Sequence, residues 1–372
     1  NRRSAIAEKF NFCPIVGRQL ELFCSLVRRE VQINLKILNF PRLLLYLRPL
    51  KIKNVMSVKE FLENTNHPVF SFEILPPTKG NSIDRVYNII DKLLEFDPKY
   101  INITSHHSEP VLITQPDGTL RQISVTKRPG TVAIAAAIQQ KYGITAVPHI
   151  ICKGFTKEET EYALLDLNFL GIHNLLLLRG DANKLTVKQE DKSRQHAHAT
   201  DLQEQVNQFN KGLDIDGHLI EGIDTPFAYG MACYPEKHEE APNLEADLKY
   251  AVEKVKNGAQ YLVTQMFFDN QKYYDFVERA RKAGITVPII PGIKPIVFCN
   301  QLNVLPKVFH TDIPEPFATE LAKCKTDEEA KELGVEWTIT QCKDLLQHGV
   351  QALHFYTFMA TDSVARVART VF

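Results

Sequence analysis

Along most of the chain, short apolar runs rich in β-branched and aromatic residues alternate with longer stretches whose apolar positions recur at helical spacing. The runs at 69–75, 100–104, 145–150, 174–178, 227–232, 261–265, 287–291 and 352–356 predict eight strands. Between them, 82–96, 157–170, 244–257 and 271–283 predict helices. Strand, helix, strand in repetition builds parallel pairs joined by crossovers. Gly171, Gly258, Gly284 and Gly349 stand where helices end, each just before the next strand, as a left-handed C-cap requires. Eight such pairs, with no GxGxxG after the first strand, predict an α/β fold of the (β/α)8 TIM-barrel class rather than an open doubly wound sheet. Two stretches exceed the minimal spacing. The polar run 182–224 predicts a long loop with a helix near 201–211, and 298–331 predicts extra helices before the one carrying Trp337.

Composition narrows the class. Of 372 residues, 44% are hydrophobic and 24% charged, values of a water-soluble globular chain, and the formal net charge is zero. Neither a nucleic acid nor an anionic membrane is implied as partner, and no apolar run is long enough for a membrane span. Seven scattered cysteines form no CxxC pair, so neither a disulfide framework nor a metal site is expected. Free thiols in a cytoplasmic protein are the simpler reading. The tract from His196 to His198 reads as a solvated loop rather than a metal ligand set.

The zero charge conceals an asymmetry. Residues 1–55 hold 11 basic and 3 acidic residues, a net of +8, leaving 56–372 at −8. This basic leader can be read as a transit peptide, although it lacks a Ser-rich bias, or as an amphipathic membrane-surface segment. A third reading, taken here, starts translation at Met56, the first methionine, and sets 1–55 apart from the 56–372 barrel.

A barrel works at the carboxyl ends of its strands, so the polar residues there are the candidates. The first strand holds Glu73; the second ends Asn102-Ile103-Thr104-Ser105-His106-His107, and the third Val147-Pro148-His149. The fourth ends Leu178-Arg179-Gly180-Asp181, the fifth Cys233-Tyr234-Pro235-Glu236, the sixth Thr264-Gln265, and the eighth His354-Phe355-Tyr356-Thr357. Any one of them, a lone His149 for example, reads equally well as a satisfied structural residue. Their convergence on one rim does not. Glu73 lies among Phe, Ile and Leu, where burial raises a carboxyl pKa and makes it a general acid near neutral pH. The competing reading is a buried ion pair.

These segments resemble methylenetetrahydrofolate reductases. Phe72-Glu73-Ile74-Leu75-Pro76-Pro77 is similar to the family's first-strand motif Phe-Glu-Phe-Phe-Pro-Pro. Leu178-Arg179-Gly180-Asp181 and Tyr234-Pro235-Glu236-Lys237-His238 match its Leu-Arg-Gly-Asp and Tyr-Pro-Glu-x-His, with Asp247 and Lys254 at the family's spacing. Thr264-Gln265-Met266-Phe267-Phe268-Asp269, Ile290-Pro291-Gly292-Ile293 and His354-Phe355-Tyr356-Thr357 follow in order.

The resemblance implies a non-covalent FAD, NADH or NADPH as co-substrate, and a folate substrate reduced by ping-pong hydride transfer for methionine biosynthesis. It implies that Thr104, His149, Arg179, Gly180, Asp181, Tyr234, His238, Asp247 and Lys254 bind or tune the flavin. Arg179 and Lys254 would meet the diphosphate. Glu73 and Asp181 become the expected catalytic residues, with Glu73, Gln265 and Tyr356 at the substrate. Three departures stand out. Ser105-His106 replaces an aromatic flavin contact, Leu305 falls near a substrate-stacking Phe, and Phe358-Met359-Ala360 replaces Leu-Asn-Arg. Because the chain stops at the barrel's last helix, the bacterial form is expected, without the eukaryotic regulatory domain and as a homo-oligomer. Three alternatives stay open: a flavin-free pterin-dependent methyltransferase, another flavin barrel such as proline dehydrogenase, and a folate-binding protein without turnover.

Overall fold

The computed structural model describes residues 56–372 apart from 181–191, 221–222 and Met359. Both the leader expected at 1–55 and Asp181 fall outside the described residues. The strands are β1 (Val69–Ile74), β2 (Tyr100–Ile103), β3 (Glu109–Thr114), β4 (Leu120–Val125), β5 (Thr145–Ile151), β6 (Asn174–Leu178), β7 (Ala228–Cys233), β8 (Tyr261–Thr264), β9 (Ile289–Ile290), β10 (Gly292–Ile293) and β11 (Ala352–Tyr356). Nine of them form one parallel sheet in the order β10-β11-β1-β2-β5-β6-β7-β8-β9. Its two ends, β9 and β10, are the halves of one strand interrupted at Pro291. The sheet is therefore a nearly closed (β/α)8 barrel, with the predicted seventh strand split in two. Proline has no N–H to give to a ladder, and Pro291 stands at the break.

Alternation along each strand divides the core in two. Phe70, Phe72 and Ile74 of β1 face outward, packing with Val86, Ile90 and Leu93 of the helix Asp84–Leu93. Inside, Tyr100, Val147, Leu176, Tyr261, Val263 and Ile290 pack with Val58 and Leu62. These last two belong to the helix Val58–Glu63, which opens with a capping box from Ser57 and Glu60. Asn174, at the start of β6, accepts from Val58 N–H at 3.1 Å and so ties this helix to the strands' amino ends. Room inside is tight. Gly230 of β7 lies so close to the Tyr261 ring that a Cβ there would come within 2.3 Å of it.

The four predicted helix-closing glycines all take positive φ, from 69° at Gly171 to 116° at Gly258. Each is followed by a residue whose N–H reaches back to the last turn, as in Ile172 to Leu167 at 2.9 Å and Ile285 to Ala280 at 3.0 Å. The extra helices expected in 298–331 are Gln301–Phe309 and Glu315–Lys323, before Asp327–Gln347, which carries Trp337. Trp337 stacks on Phe317 at 4.4 Å and donates to the Phe268 carbonyl at 3.0 Å. One element was not predicted. β3 and β4 form an antiparallel hairpin between β2 and the helix Thr131–Tyr142.

Candidate functional site

Polar side chains inside the barrel make the floor of the site. Ser71, Asn102 and His354 are fully buried. His354 Nδ1 lies 3.0 Å from Ser71 Oγ, and its Nε2 lies 3.2 Å from Asn102 Nδ2. An amide nitrogen only donates, so Nε2 accepts and the ring proton sits on Nδ1, toward the serine. Burial holds this ring neutral, pushing its pKa down to about 3.

The layer above carries the reactive groups. Register sets Glu73 of β1 beside Tyr356 of β11 and Asn102 of β2. Glu73 keeps 20% side-chain exposure, and its Oε2 lies 3.7 Å from Nε2 of the buried His149. Burial first, then the charges of His354 and His106, pushes His149 down to about 3. The imidazole is neutral at physiological pH, and this close pair is no ion pair. Nor does His149 Nε2 have a hydrogen-bond partner among the described residues. A buried polar atom of that kind is costly unless a ligand meets it.

Tyr356 is aimed across the barrel, its hydroxyl donating to the Thr264 carbonyl at 2.7 Å. Only glycine at 292 permits this, because a Cβ there would stand 2.4 Å from the Thr264 carbonyl and 2.7 Å from the tyrosine oxygen. Next to Thr264, Gln265 donates its N–H to the Cys233 carbonyl at 2.9 Å. Its Oε1 accepts from Met266 N–H at 2.9 Å, which orients the side-chain amide.

A second cluster lies on the rim above β6 and β7. The loop after β7 is held by Lys237, a non-glycine residue at φ 114°, whose ammonium donates to the carbonyls of His238 at 3.0 Å and Ala241 at 2.7 Å. His238 N–H donates to Asp247 Oδ2 at 3.0 Å, and Asp247 sits in the first turn of the helix Leu244–Lys256. His238 Nδ1 accepts from Glu240 N–H at 3.2 Å, which places its proton on Nε2, and burial lowers its pKa. The Tyr234 ring meets this imidazole edge-on at 4.7 Å. Half-buried Lys254 has its pKa lowered by desolvation and donates to the Ala232 carbonyl at 2.8 Å. Arg179 pairs with Glu240 and donates to the Ala197 carbonyl at 3.2 Å. Gly180, beside it, has φ 83°.

The predicted residues therefore fall into two groups. Glu73, His149, Tyr356 and Gln265 line the mouth, with Thr104 bonded through Oγ1 to His106 Nε2 at 2.9 Å. Arg179, Gly180, Tyr234, His238, Asp247 and Lys254 make up the β6–β7 rim. Asp181 lies outside the described residues. Leu305 is only 1% exposed and packs with Met266, Phe268 and Phe317, in the helical insertion's own core. One mouth residue was missed. Lys294, directly after β10, is 5% exposed, and its ammonium donates to the Phe358 carbonyl at 3.5 Å. The signal was present, a charged residue ending the seventh strand.

A family model described as "Methylenetetrahydrofolate reductase" matches residues 58–371. A Caenorhabditis elegans protein named "Probable methylenetetrahydrofolate reductase (NADPH)" is 29% identical over 84% of this chain and 43% of its own length. Arabidopsis thaliana "Methylenetetrahydrofolate reductase (NADH) 1" is 29% identical, over 84% of this chain and 49% of the relative. The chain thus spans about half the length of these relatives. Salmonella typhimurium "5,10-methylenetetrahydrofolate reductase" is also 29% identical, over 81% of this chain and 90% of the relative.

Proposed function

This chain belongs to the methylenetetrahydrofolate reductase family, and we propose that it reduces 5,10-methylenetetrahydrofolate to 5-methyltetrahydrofolate for methionine synthesis, with NADH or NADPH as reductant and FAD held non-covalently. The observation that carries this reading is Glu73. Its carboxyl stands at the barrel mouth beside a neutral histidine and level with Tyr356.

The residues present fit a flavin. A ligand with a polar ring system satisfies the orphaned His149 Nε2, the Tyr234–His238 pair offers an aromatic wall, and the backbone at Gly180 approaches closely. Arg179 offers a cation to a diphosphate once its pairing with Glu240 is exchanged, and Lys254 supplies positive charge from behind β7. Thr104 completes the set, and by resemblance Asp181 does so too. When bound, FAD supplies a two-electron carrier that lets nicotinamide and folate use one face in turn.

The rest is the work of this chain's own residues. Glu73 gives its proton to the nitrogen that departs when the substrate's five-membered ring opens. Gln265, with its amide fixed by Met266 N–H, pairs with the pterin edge. Tyr356, fixed by the Thr264 carbonyl, contacts the substrate from beside Glu73. We place the protein in the cytoplasm as a homo-oligomer. No helix among the described residues is long and apolar enough to cross a membrane. Tyr162, Leu165, Phe169 and Leu170 form an exposed apolar face on the helix Lys157–Phe169 and its C-cap, suited to a subunit contact.

An anaerobic visible spectrum tests the proposal. The expected result is a flavin spectrum that bleaches with NADH or NADPH and recovers with methylenetetrahydrofolate. Bleaching followed by recovery with a proline-derived acceptor alone would favour a different flavin barrel. A colourless protein that takes up no FAD would overturn the proposal and favour pterin-dependent methyl transfer.

A further inference from the structure

Lys294 enters the mouth at the same level as Glu73. β10 pairs with β11 through Gly292↔His354 and Ile293↔Phe355, and β11 pairs with β1 through Glu73↔Tyr356. One residue beyond Ile293 and Phe355, Lys294 and Tyr356 stand level, so Lys294, Tyr356 and Glu73 form a row across three adjacent strands. Side-chain alternation puts all three on the inside. Gly292 is the inward position that meets Tyr356, Ile293 packs in the outer core, and Lys294 turns inward again.

We propose that Lys294 is a positioning residue for Glu73: its ammonium, set into the same wall of the mouth, counteracts the effect of burial on that carboxyl and so determines when the group carries its proton. This rests on the general-acid role given to Glu73 above. A buried lysine without an anionic partner loses its charge readily. Here desolvation pushes Lys294 down to about 8, and the Glu73 charge opposes that push. Three neighbouring groups among the described residues add no positive charge near neutrality. His149 and His354 are held neutral by burial, and Tyr356 is pushed well up by burial and by Glu73. His106 is linked to this layer through His149 and through Thr104 Oγ1. Lys294 is thus a cation coupled by charge to Glu73 within this wall.

The coupling is reciprocal, which makes it measurable from both ends without turnover. The test is an NMR titration of the FAD-bound protein, following the Glu73 side-chain carboxyl carbon and the Lys294 ε-carbon, with Glu73→Gln and Lys294→Met assigning each signal. In Lys294→Met the Glu73 midpoint is expected to rise by about one unit or more, and in Lys294→Arg to stay near wild type. In Glu73→Gln the Lys294 midpoint is expected to fall below its wild-type value by the same amount. An unmoved Glu73 midpoint in Lys294→Met would overturn the proposal. An equal rise in Lys294→Arg would do so too, because packing rather than charge would then be responsible. Should Lys294→Met not fold, the Lys294 midpoint in Glu73→Gln decides alone. None of these readouts depends on the substrate, so a failed folate assay and a failed coupling are separate results.

Discussion

At the scale of single residues, backbone register does most of the aiming. Glu73 reaches the mouth because it alternates with Phe72 and Ile74, whose burial in the outer core leaves it one direction to face. Replacing it with Gln preserves shape and removes the transferable proton. Glu73→Gln should still bind FAD and accept electrons from the nicotinamide, with its folate-dependent reoxidation slowed about 10²–10⁴-fold. Anaerobic stopped-flow of the two half-reactions checks this, and undiminished reoxidation would remove Glu73 from the mechanism. Glu73, His149, Gln265 and Tyr356 were legible in the sequence because a polar residue ending an apolar strand is conspicuous. The pairing of Arg179 with Glu240 was not, because it joins side chains 61 positions apart on separate loops. Lys294 was passed over because Pro291 blurred where the seventh strand ends.

At the scale of elements, strand and helix order followed from periodicity, and the predicted bounds of all eight strands fall close to the observed ones. The hairpin β3–β4 was missed although its signal was there. Asp117-Gly118 stands between two alternating runs, with Gly118 at φ 82°. Its strands are largely exposed, and without a buried face their alternation has little amplitude. Other elements depend on spacing that no pattern reveals. β7 and β8 lie close enough for the buried Tyr261 ring to occupy the place of a side chain at Gly230. Gly230→Ala, a single methyl, therefore has to displace a ring with no free space, at a cost of about 1–3 kcal/mol. Thermal unfolding should register this as a Tm several degrees lower, and an unchanged Tm would show that the inner core can yield.

For the molecule as a whole, two buried imidazoles make stability depend on pH. His149 and His354 are each pushed from 6.5 to about 3 in the folded state. Below 6.5 the unfolded chain takes up protons that the folded chain refuses, so the contribution of these two groups is full above that pH and drains as pH falls toward 3. In denaturant melts the difference in stability between the wild type and His354→Asn should hold steady from pH 8 to about 6.5 and shrink progressively below it. His354→Asn should start less stable yet lose less on acidification, and parallel loss in both proteins would move the effect elsewhere. The same burial made these histidines ambiguous in sequence, where a core histidine and a ligand-facing one look alike.

Considered mechanically, the barrel is a hoop with a clasp. Every other wall strand bonds to its neighbours through one continuous segment, whereas β9 joins only β8 and β10 joins only β11, with Pro291 between them. Tension passing round the hoop must cross that point through covalent backbone whose φ is locked by a pyrrolidine ring, rather than through a ladder that can slip. Thr264 and Tyr356 sit on either side of the clasp and are latched to each other. Lys294 stands where the clasp ends. A load applied at the mouth, such as a flat ring system wedged between these residues, would be resisted by a stiff joint. The joint and its latch therefore oppose any widening of the wall beside Glu73.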